Sequence, residues 1–76
     1  MAYEDVVMFT VDSSNVNEIG YDDTEMNLYV SFKNGSVYWY NGIELSLYED
    51  LMAAPSKGQW VWQVLRRGGY EYGRVV

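Results

Sequence analysis

The sequence predicts an α+β fold: an antiparallel β-meander with two short helices and a C-terminal strand. Three observations predict it. Apolar and polar residues alternate over residues 26–33, which is the period of a strand. Asn34-Gly35 follows, and such a pair between two alternating runs is a strong hairpin signal. After residue 44 the apolar positions recur at helical spacing. At 76 residues the chain is expected to be a single domain, residues 1–76.

The first half of the chain is predicted to contain four strands separated by polar turns. The first reads as a short buried strand, and Gly20 in the second is a candidate β-bulge. Met26 opens the third strand on its apolar face. Asn34 and Gly35 predict a type I′ turn, because both central residues of that turn need positive φ. The expected strands are residues 6–11, 16–21, 26–33 and 36–40.

The second half is predicted to form two amphipathic helices and a final strand. Glu44 lies in the first turn of the first helix, and Pro55 ends that helix because the residue before a proline resists the helical conformation. Arg66 and Arg67 end the second helix, where cations complement the helix dipole, and the glycines at 68–69 cap it. The expected elements are helices at residues 44–54 and 59–67 and a strand at residues 70–76.

The composition excludes several classes of function. The chain has no histidine and no cysteine, which removes the usual transition-metal ligands and the His- or Cys-dependent nucleophiles. A carboxylate pair, a Ser-Lys arrangement and an oxygen-ligated magnesium or calcium site remain as chemical options. A domain of 76 residues has little room to enclose both a substrate and the residues that support a site, so we expect no enzyme, no catalytic residue, no metal and no cofactor. No apolar run is long enough to span a membrane, and the acidic N-terminus differs from a signal peptide, so a cytoplasmic location without membrane partners is expected.

Aromatic content and charge restrict the partners. The 3 Trp, 8 Tyr and 2 Phe are many for a 76-residue core, so a homo-oligomer, either a dimer or a tetramer, is expected. A net charge of −6 repels a polyanion, so we expect no long nucleic acid to bind. Four of the five basic residues follow Ala54, whereas ten of the eleven acidic residues precede it. A small phosphate-bearing ligand could still bind where these few cations gather.

Ten residues are candidates for binding such a ligand. Cationic side chains would bind phosphate, aromatic rings would stack on a base, and hydroxyl and amide groups would read a base edge. In that order, the candidates are Arg66, Arg67, Arg74 and Lys57; Tyr38, Tyr40, Trp60 and Tyr70; and Ser14 and Asn15.

Each group of candidates also has a structural interpretation. Arg66 and Arg67 suit a helix C-terminus and ion pairs with acidic residues. The polar residues 13–15 suit a turn that satisfies its own backbone, and Ser56 suits a helix N-cap. The rings of residues 38–40 project to both faces of one strand, so one face could be a subunit interface instead of a stacking site.

The order of several short motifs resembles the KTSC domain, a small domain found at the C-terminus of some lysyl-tRNA synthetases and alone in bacteria and phages. The resemblance covers roughly residues 11–74. It depends on Ser13-Ser14-Asn15, Ile19-Gly20-Tyr21-Asp22, the strand at 35–40 and residues 54–58. Where family members commonly carry Phe-Asn, this chain has Trp60-Val61-Trp62. The resemblance implies the fold, and it implies no settled enzymatic activity.

The leading hypothesis is a non-enzymatic protein that captures a nucleotide or a cyclic oligonucleotide signal without turnover. The stand-alone occurrence of the family in phages implies a viral sponge for evading anti-phage defence, located in the host cytoplasm. Two alternatives stay open. One is a protein–protein interaction or inhibitor module that uses the acidic half, and the other is an RNA-associated accessory domain, which the synthetase connection implies.

Overall fold

The structure is a computed structural model that describes residues 3–75, except for the side chain of Glu4. Five antiparallel strands form one sheet, in which the spatial order β1-β2-β3-β4-β5 is the chain order. Two helices lie between β4 and β5 in the chain, so the predicted α+β meander is confirmed. The strands are β1 (Met8–Thr10), β2 (Val16–Asp22), β3 (Asn27–Phe32), β4 (Val37–Asn41) and β5 (Tyr72–Arg74). Val76, which the prediction placed in the last strand, lies outside the described residues.

The first helix, α1, spans Leu45–Ala53, and the second, α2, begins as Lys57–Trp60 and continues as a π-helix over Val61–Arg66. The N–H of Gln59 donates to Ser56 Oγ at 3.3 Å, so Ser56 is the N-cap and α2 begins two residues earlier than predicted. Gly69 has φ +77°, which lets the chain turn away after the second helix. Neither helix in the described part of the chain has the length and apolar character that a membrane crossing requires.

The hydrophobic core lies between the helices and one face of the sheet. Leu28 and Val30 of β3 project from this face, and the register pairs Leu28 with Tyr40 of β4. Each large apolar side chain that becomes fully buried contributes about 1.5–3 kcal/mol, so this face supplies most of the stability of so small a sheet. The core residues are Val16, Ile19, Leu28, Val30, Tyr40, Ile43, Leu51, Val61 and Leu65.

The other face of the sheet is covered within the chain by close aromatic packing. Tyr29 is only 4% exposed and its ring centroid lies 5.7 Å from that of Tyr3, in a short 3₁₀ turn before β1. A Cβ atom on Gly73 would lie 2.7–2.8 Å from ring atoms of Trp39, so only glycine lets this tryptophan lie against β5. Tyr29 is therefore buried without a second subunit.

The structure corrects three predictions about the first three strands. β1 is shorter than predicted and is an exposed edge strand, because only β2 pairs with it, and Phe9 is 52% exposed. The β-bulge lies between Val16 and Glu18, whereas Gly20 pairs regularly with Tyr29. Met26 precedes β3 in a turn at φ 55°, where its side chain is exposed.

The hairpin between β3 and β4 exists, but the predicted type I′ turn is wrong. Among its loop residues only Gly35 has positive φ, at +94°, whereas a type I′ turn needs two such residues. Phe32 and Ser36 flank a three-residue loop, in which the N–H of Gly35 donates to the Phe32 carbonyl at 3.0 Å. The glycine in left-handed conformation at the end of a three-residue loop is the next most common hairpin geometry, and it moves Asn34 into the middle of the loop.

Candidate ligand-binding cleft

A surface cleft of about 490 Å³ opens where three segments of the chain meet. The segments are the loop before β2, the loop between β3 and β4, and the exposed side of the second helix. This volume lies within the range of small-molecule sites. The lining residues are Ser14, Asn15, Phe32, Lys33, Asn34, Gly58, Val61, Trp62 and Arg66. We call this hollow the cationic cleft.

The loop before β2 is held by Ser13, which leaves its neighbours to line the cleft. Ser13 Oγ accepts the N–H groups of Asn15 at 3.3 Å and Val16 at 3.2 Å, so the structural interpretation of this loop is right for Ser13. The carbonyl of Asn15 accepts the N–H of Lys33 at 2.9 Å, which joins this loop to the β3–β4 hairpin. The Asn15 side chain packs against Gly58, where an added Cβ would be in ordinary contact at 3.5 Å.

The hairpin loop presents Lys33, which is not among the ten residues predicted from the sequence. Asn34 Oδ1 accepts both the N–H of Ser36 at 3.0 Å and its hydroxyl at 2.6 Å, which fixes the loop. The register pairs Val16 with Phe32, and this pairing brings residue 33 beside residue 15. The sequence signal was available, because an antiparallel β2–β3 pair must bring the start of β2 to the end of β3.

The π-helical segment supplies Trp62 and Arg66. Trp62 is 58% exposed, and the guanidinium carbon of Arg66 lies 5.4 Å from the centroid of its ring. The same guanidinium lies 5.4 Å from the ring of Tyr72 on β5, so Arg66 stands between two aromatic faces. π-Helical turns are rare and occur frequently at functional sites, which makes this segment a natural place for one.

A row of aromatic rings extends from the cationic cleft along the sheet. The centroids are 6.0 Å apart for Phe32 and Tyr38, 6.5 Å for Tyr38 and Tyr72, and 5.8 Å for Tyr72 and Tyr40. Tyr40 lies fully in the core, so its ring face is not open to a base. Burial raises the pKa of the Tyr40 phenol, and the nearby charge of Arg66 opposes part of this rise.

The cleft brings together three of the ten predicted residues, namely Ser14, Asn15 and Arg66, and it adds Lys33 and Trp62. The other predicted residues lie outside its lining. Trp60, Tyr38 and Tyr70 pack against the core, Arg67 is exposed beyond the π-helix, and Arg74 lies opposite Tyr38 on β5. Lys57 Nζ donates to the carbonyls of Met52 at 3.0 Å and Ala54 at 2.7 Å, where it caps the end of α1.

The cationic cleft is positive in a molecule that is negative overall. Lys33 and Arg66 line it, and no carboxylate is among its lining residues in the described part of the chain. In that same part, neither cation lies within ion-pair distance of a carboxylate, whereas Arg66 is held by the two rings. The predicted ion pairing of Arg66 with the acidic half is therefore not seen among the described side chains, and its charge is directed to the cleft.

The fold and this cleft together define a small α+β domain with a positively charged, aromatic-lined hollow. The family model of the KTSC domain matches residues 12–72, and the chain belongs to the KTSC domain family. The crystal structure of the KTSC domain protein of Yersinia pestis superimposes with a TM-score of 0.84 at 28% sequence identity, covering 93% of this chain and 99% of that one.

Two relatives show the settings in which the domain occurs. A lysine–tRNA ligase of Trichormus variabilis is 35% identical over 74 residues, which is 93% of this chain and 13% of the ligase. An uncharacterized protein of Stutzerimonas stutzeri is 32% identical over 63 residues, which is 83% of this chain and 89% of that protein. This chain therefore spans only a small fraction of the ligase but most of the second relative.

Proposed function

We propose that this chain is a non-enzymatic binding domain that captures a small phosphate-bearing ligand, a nucleotide or cyclic oligonucleotide, in the cationic cleft. The observation that carries the proposal is the placement of Lys33 and Arg66 beside the exposed ring of Trp62. Two cations and an aromatic face within one hollow match the two chemical parts of a nucleotide, its phosphate and its base.

Each part of the cleft would have one task. The guanidinium of Arg66, oriented by the two rings, would bind phosphate oxygens in a bidentate manner, and Lys33 would add a point charge. Trp62 would stack on the base, and Asn15 would exchange hydrogen bonds with the edge of the base. Ser14 would serve as a further hydroxyl donor at the rim.

The volume of the cationic cleft limits how much of a ligand one copy of the chain can hold. A hollow of about 490 Å³ suits one nucleotide unit, so a cyclic oligonucleotide would use clefts from more than one copy. The proposed assembly is accordingly a dimer or tetramer. The proposed role is capture without turnover, in the cytoplasm, as a sponge for a nucleotide signal if the chain is encoded by a phage.

Calorimetric titration of a panel of nucleotides and cyclic oligonucleotides tests the proposal. For the nucleotide of the panel that binds, Arg66→Ala is expected to lower the affinity by about tenfold or more, because a hydrogen bond to a charged group contributes about 1.5–3 kcal/mol. Trp62→Ala is expected to weaken it by about fivefold to a hundredfold, since stacking contributes about 1–3 kcal/mol per base. Both side chains are exposed, so the fold should be kept.

Arg67→Ala is the matched comparison, because it removes the same charge from a neighbouring residue outside the cleft lining. It should lower the affinity only slightly, through the loss of a charge that acts at long range. Equal losses for the two arginine variants would contradict the assignment to the cationic cleft, and absence of heat or thermal shift across the panel would contradict nucleotide capture.

An RNA-associated accessory role is the second proposal, and the similarity to lysine–tRNA ligases favours it. A single unpaired nucleotide of an RNA could occupy the same cleft, with Trp62 stacking on its base. Binding of a short single-stranded RNA that Trp62→Ala abolishes, together with no binding of free nucleotides, would favour this role over capture of a small ligand.

A further inference from the structure

A second concave surface lies between the edge strand β1 and helix α1, and the proposed nucleotide site uses none of it. It consists of two hollows, of about 330 Å³ and 530 Å³, that share Phe9 and Tyr48 and are therefore continuous. We call it the β1–α1 groove. It is lined at the acidic end by Asp5, Asp22 and Asp23 with Val7 and Leu45, and at the apolar end by Phe9, Tyr48, Met52 and Ala53 with Glu49 at the rim.

The apolar side chains of the groove are unusually exposed. Val7 is 68% exposed, Leu45 55% and Phe9 52%, and these are three of the large apolar side chains that the described residues leave open to solvent. They lie together in one hollow, whereas isolated exposed apolar residues are ordinary. Such a cluster on a small protein marks a surface for a partner.

Contacts within the chain hold the wall of the groove. The rings of Tyr21 and Tyr48 stack at 4.7 Å with an interplanar angle of 9°, and Tyr21 Oη donates to the carbonyl of Ile43 at 2.6 Å. These contacts fix Tyr48 before any partner arrives, so a partner would meet a preformed surface and lose less entropy on binding.

Asp22 gives the acidic end an unsatisfied acceptor. The residue is 5% exposed, and its Oδ1 accepts the N–H groups of Thr24 at 3.0 Å and Glu25 at 3.3 Å. Its Oδ2 is closed off from solvent and has no hydrogen-bond donor in the described part of the chain. The charge of this oxygen is therefore not compensated by a donor within the described chain, and it adds to the negative potential at the acidic end of the groove.

We propose that the β1–α1 groove binds a short basic, amphipathic peptide segment of a partner protein. An apolar side chain would lie against Phe9 and Tyr48, and a lysine or arginine would lie at the acidic end, against the exposed carboxylates of Asp5 and Asp23. Charge complementarity selects this occupant. Three carboxylates line the acidic end with no cation among the lining residues, so the end attracts a cation and repels nucleic acid. Two copies of the chain joined groove to groove would bring these carboxylates together, which disfavours a symmetric dimer at this surface.

The test is an amide-resolved NMR titration of the whole chain with a capped synthetic peptide in which two leucines precede a lysine and an arginine. Saturable shifts are expected at the amides of Phe9, Asp22 and Tyr48, and the matched peptide with glutamates in place of the basic residues should not bind. Asp22→Asn keeps the acceptor for the turn and removes one of the three charges that line this end, so the affinity for the basic peptide should fall severalfold. Asp12→Asn, which removes the same charge from an exposed site outside the groove, should leave it unchanged.

A second pair of variants tests the apolar end. Phe9→Ser should lower the affinity for the basic peptide by about tenfold. Val75→Ser, which also replaces an exposed apolar side chain by a polar one, should leave the affinity unchanged. If Asp22→Asn does not fold, Asp23→Asn in the same hollow replaces it. Equal binding of the basic and acidic peptides, shifts elsewhere on the molecule, or a self-association that Phe9→Ser abolishes would each overturn the proposal.

Discussion

Individual polar side chains hold the turns of the sheet by accepting hydrogen bonds from their own backbone. Ser13 and Asp22 each accept two such bonds, and Asn34 accepts one together with a bond from the Ser36 hydroxyl. These three residues lie where the chain enters or leaves β2, β3 and β4. Residue types that favour such turns are readable in a sequence. The sequence does not tell which member of Ser13-Ser14-Asn15 makes the turn, because all three side chains could accept the same hydrogen bonds. The structure assigns the turn to Ser13.

Ionisation of buried tyrosine is expected to limit stability at high pH. Burial raises the pKa of Tyr40 above its ordinary value of 10.0, while the unfolded chain ionises at the ordinary value. The contribution to stability is therefore fully present below pH 10.0 and is lost as the pH rises through the raised pKa. In Tyr40→Phe the decline of the unfolding free energy between about pH 9 and 11 should be shallower, as measured by urea unfolding. An identical alkaline decline in both proteins would contradict the assignment.

At the scale of elements, the order of strands and helices was predictable from the sequence. The errors arose where strand pairing or turn geometry determines whether a residue is buried and how the chain turns. β1 has the composition of a buried strand, but its position at the sheet edge leaves Phe9 exposed, and no local pattern specifies the edge. The π-helix of Val61–Arg66 has no sequence signature comparable to helical spacing, so the exposure of Trp62 beside Arg66 was missed.

The candidate site was predictable in part for the same reason. Ser14, Asn15 and Arg66 were selected because their chemistry suits a phosphate or a base. Lys33 and Trp62 join them only through the β2–β3 register and the course of the helix. Trp60, the predicted stacking residue of the second helix, belongs with Val61 to the apolar stripe of that helix, and the structure packs it on the core.

Two glycines provide a matched pair of predictions about element stability. Gly35→Ala should destabilise the chain by about 1–2 kcal/mol, because φ +94° is unfavourable for a residue with a Cβ atom although no neighbour would clash. Gly58→Ala should instead stabilise it by about 0.5–1 kcal/mol, because the residue lies within α2 and its Cβ would make only ordinary contact with Asn15. Urea unfolding of both variants measures the difference, and effects of the same sign would contradict this account.

At the scale of the whole molecule, opposite charges are separated along the strands. Lys33 follows the end of β3, which lies beside the start of β2 at the cationic cleft. Asp22 and Asp23 lie at the other end of β2, at the acidic end of the groove. The molecule measures 28 × 23 × 19 Å, which exceeds the Debye length of about 8 Å at physiological salt. The cationic cleft can therefore attract phosphate although the net charge is −6.

Salt dependence is expected to separate the two proposed ligand classes. The affinity for a free nucleotide at Lys33 and Arg66 should fall only modestly as the salt concentration rises, because a free nucleotide carries no condensed counterions to release. A single-stranded RNA that engages the same two cations should show a slope of log affinity against log salt near −1.4, from about −0.7 for each phosphate contact. Titrations of both ligands over a tenfold range of salt measure the slopes; a much steeper slope for RNA would require basic residues beyond the cationic cleft.

The identity of strand order and chain order has a kinetic consequence. Neighbouring strands β1 to β4 can form successive hairpins by closing short loops, so most of the sheet can assemble through local contacts. Only the pairing of β4 with β5 must wait until both helices, which separate them in the chain, have been positioned. During synthesis the four-stranded portion can therefore form first, and β5, with Gly73 against Trp39, completes the sheet last.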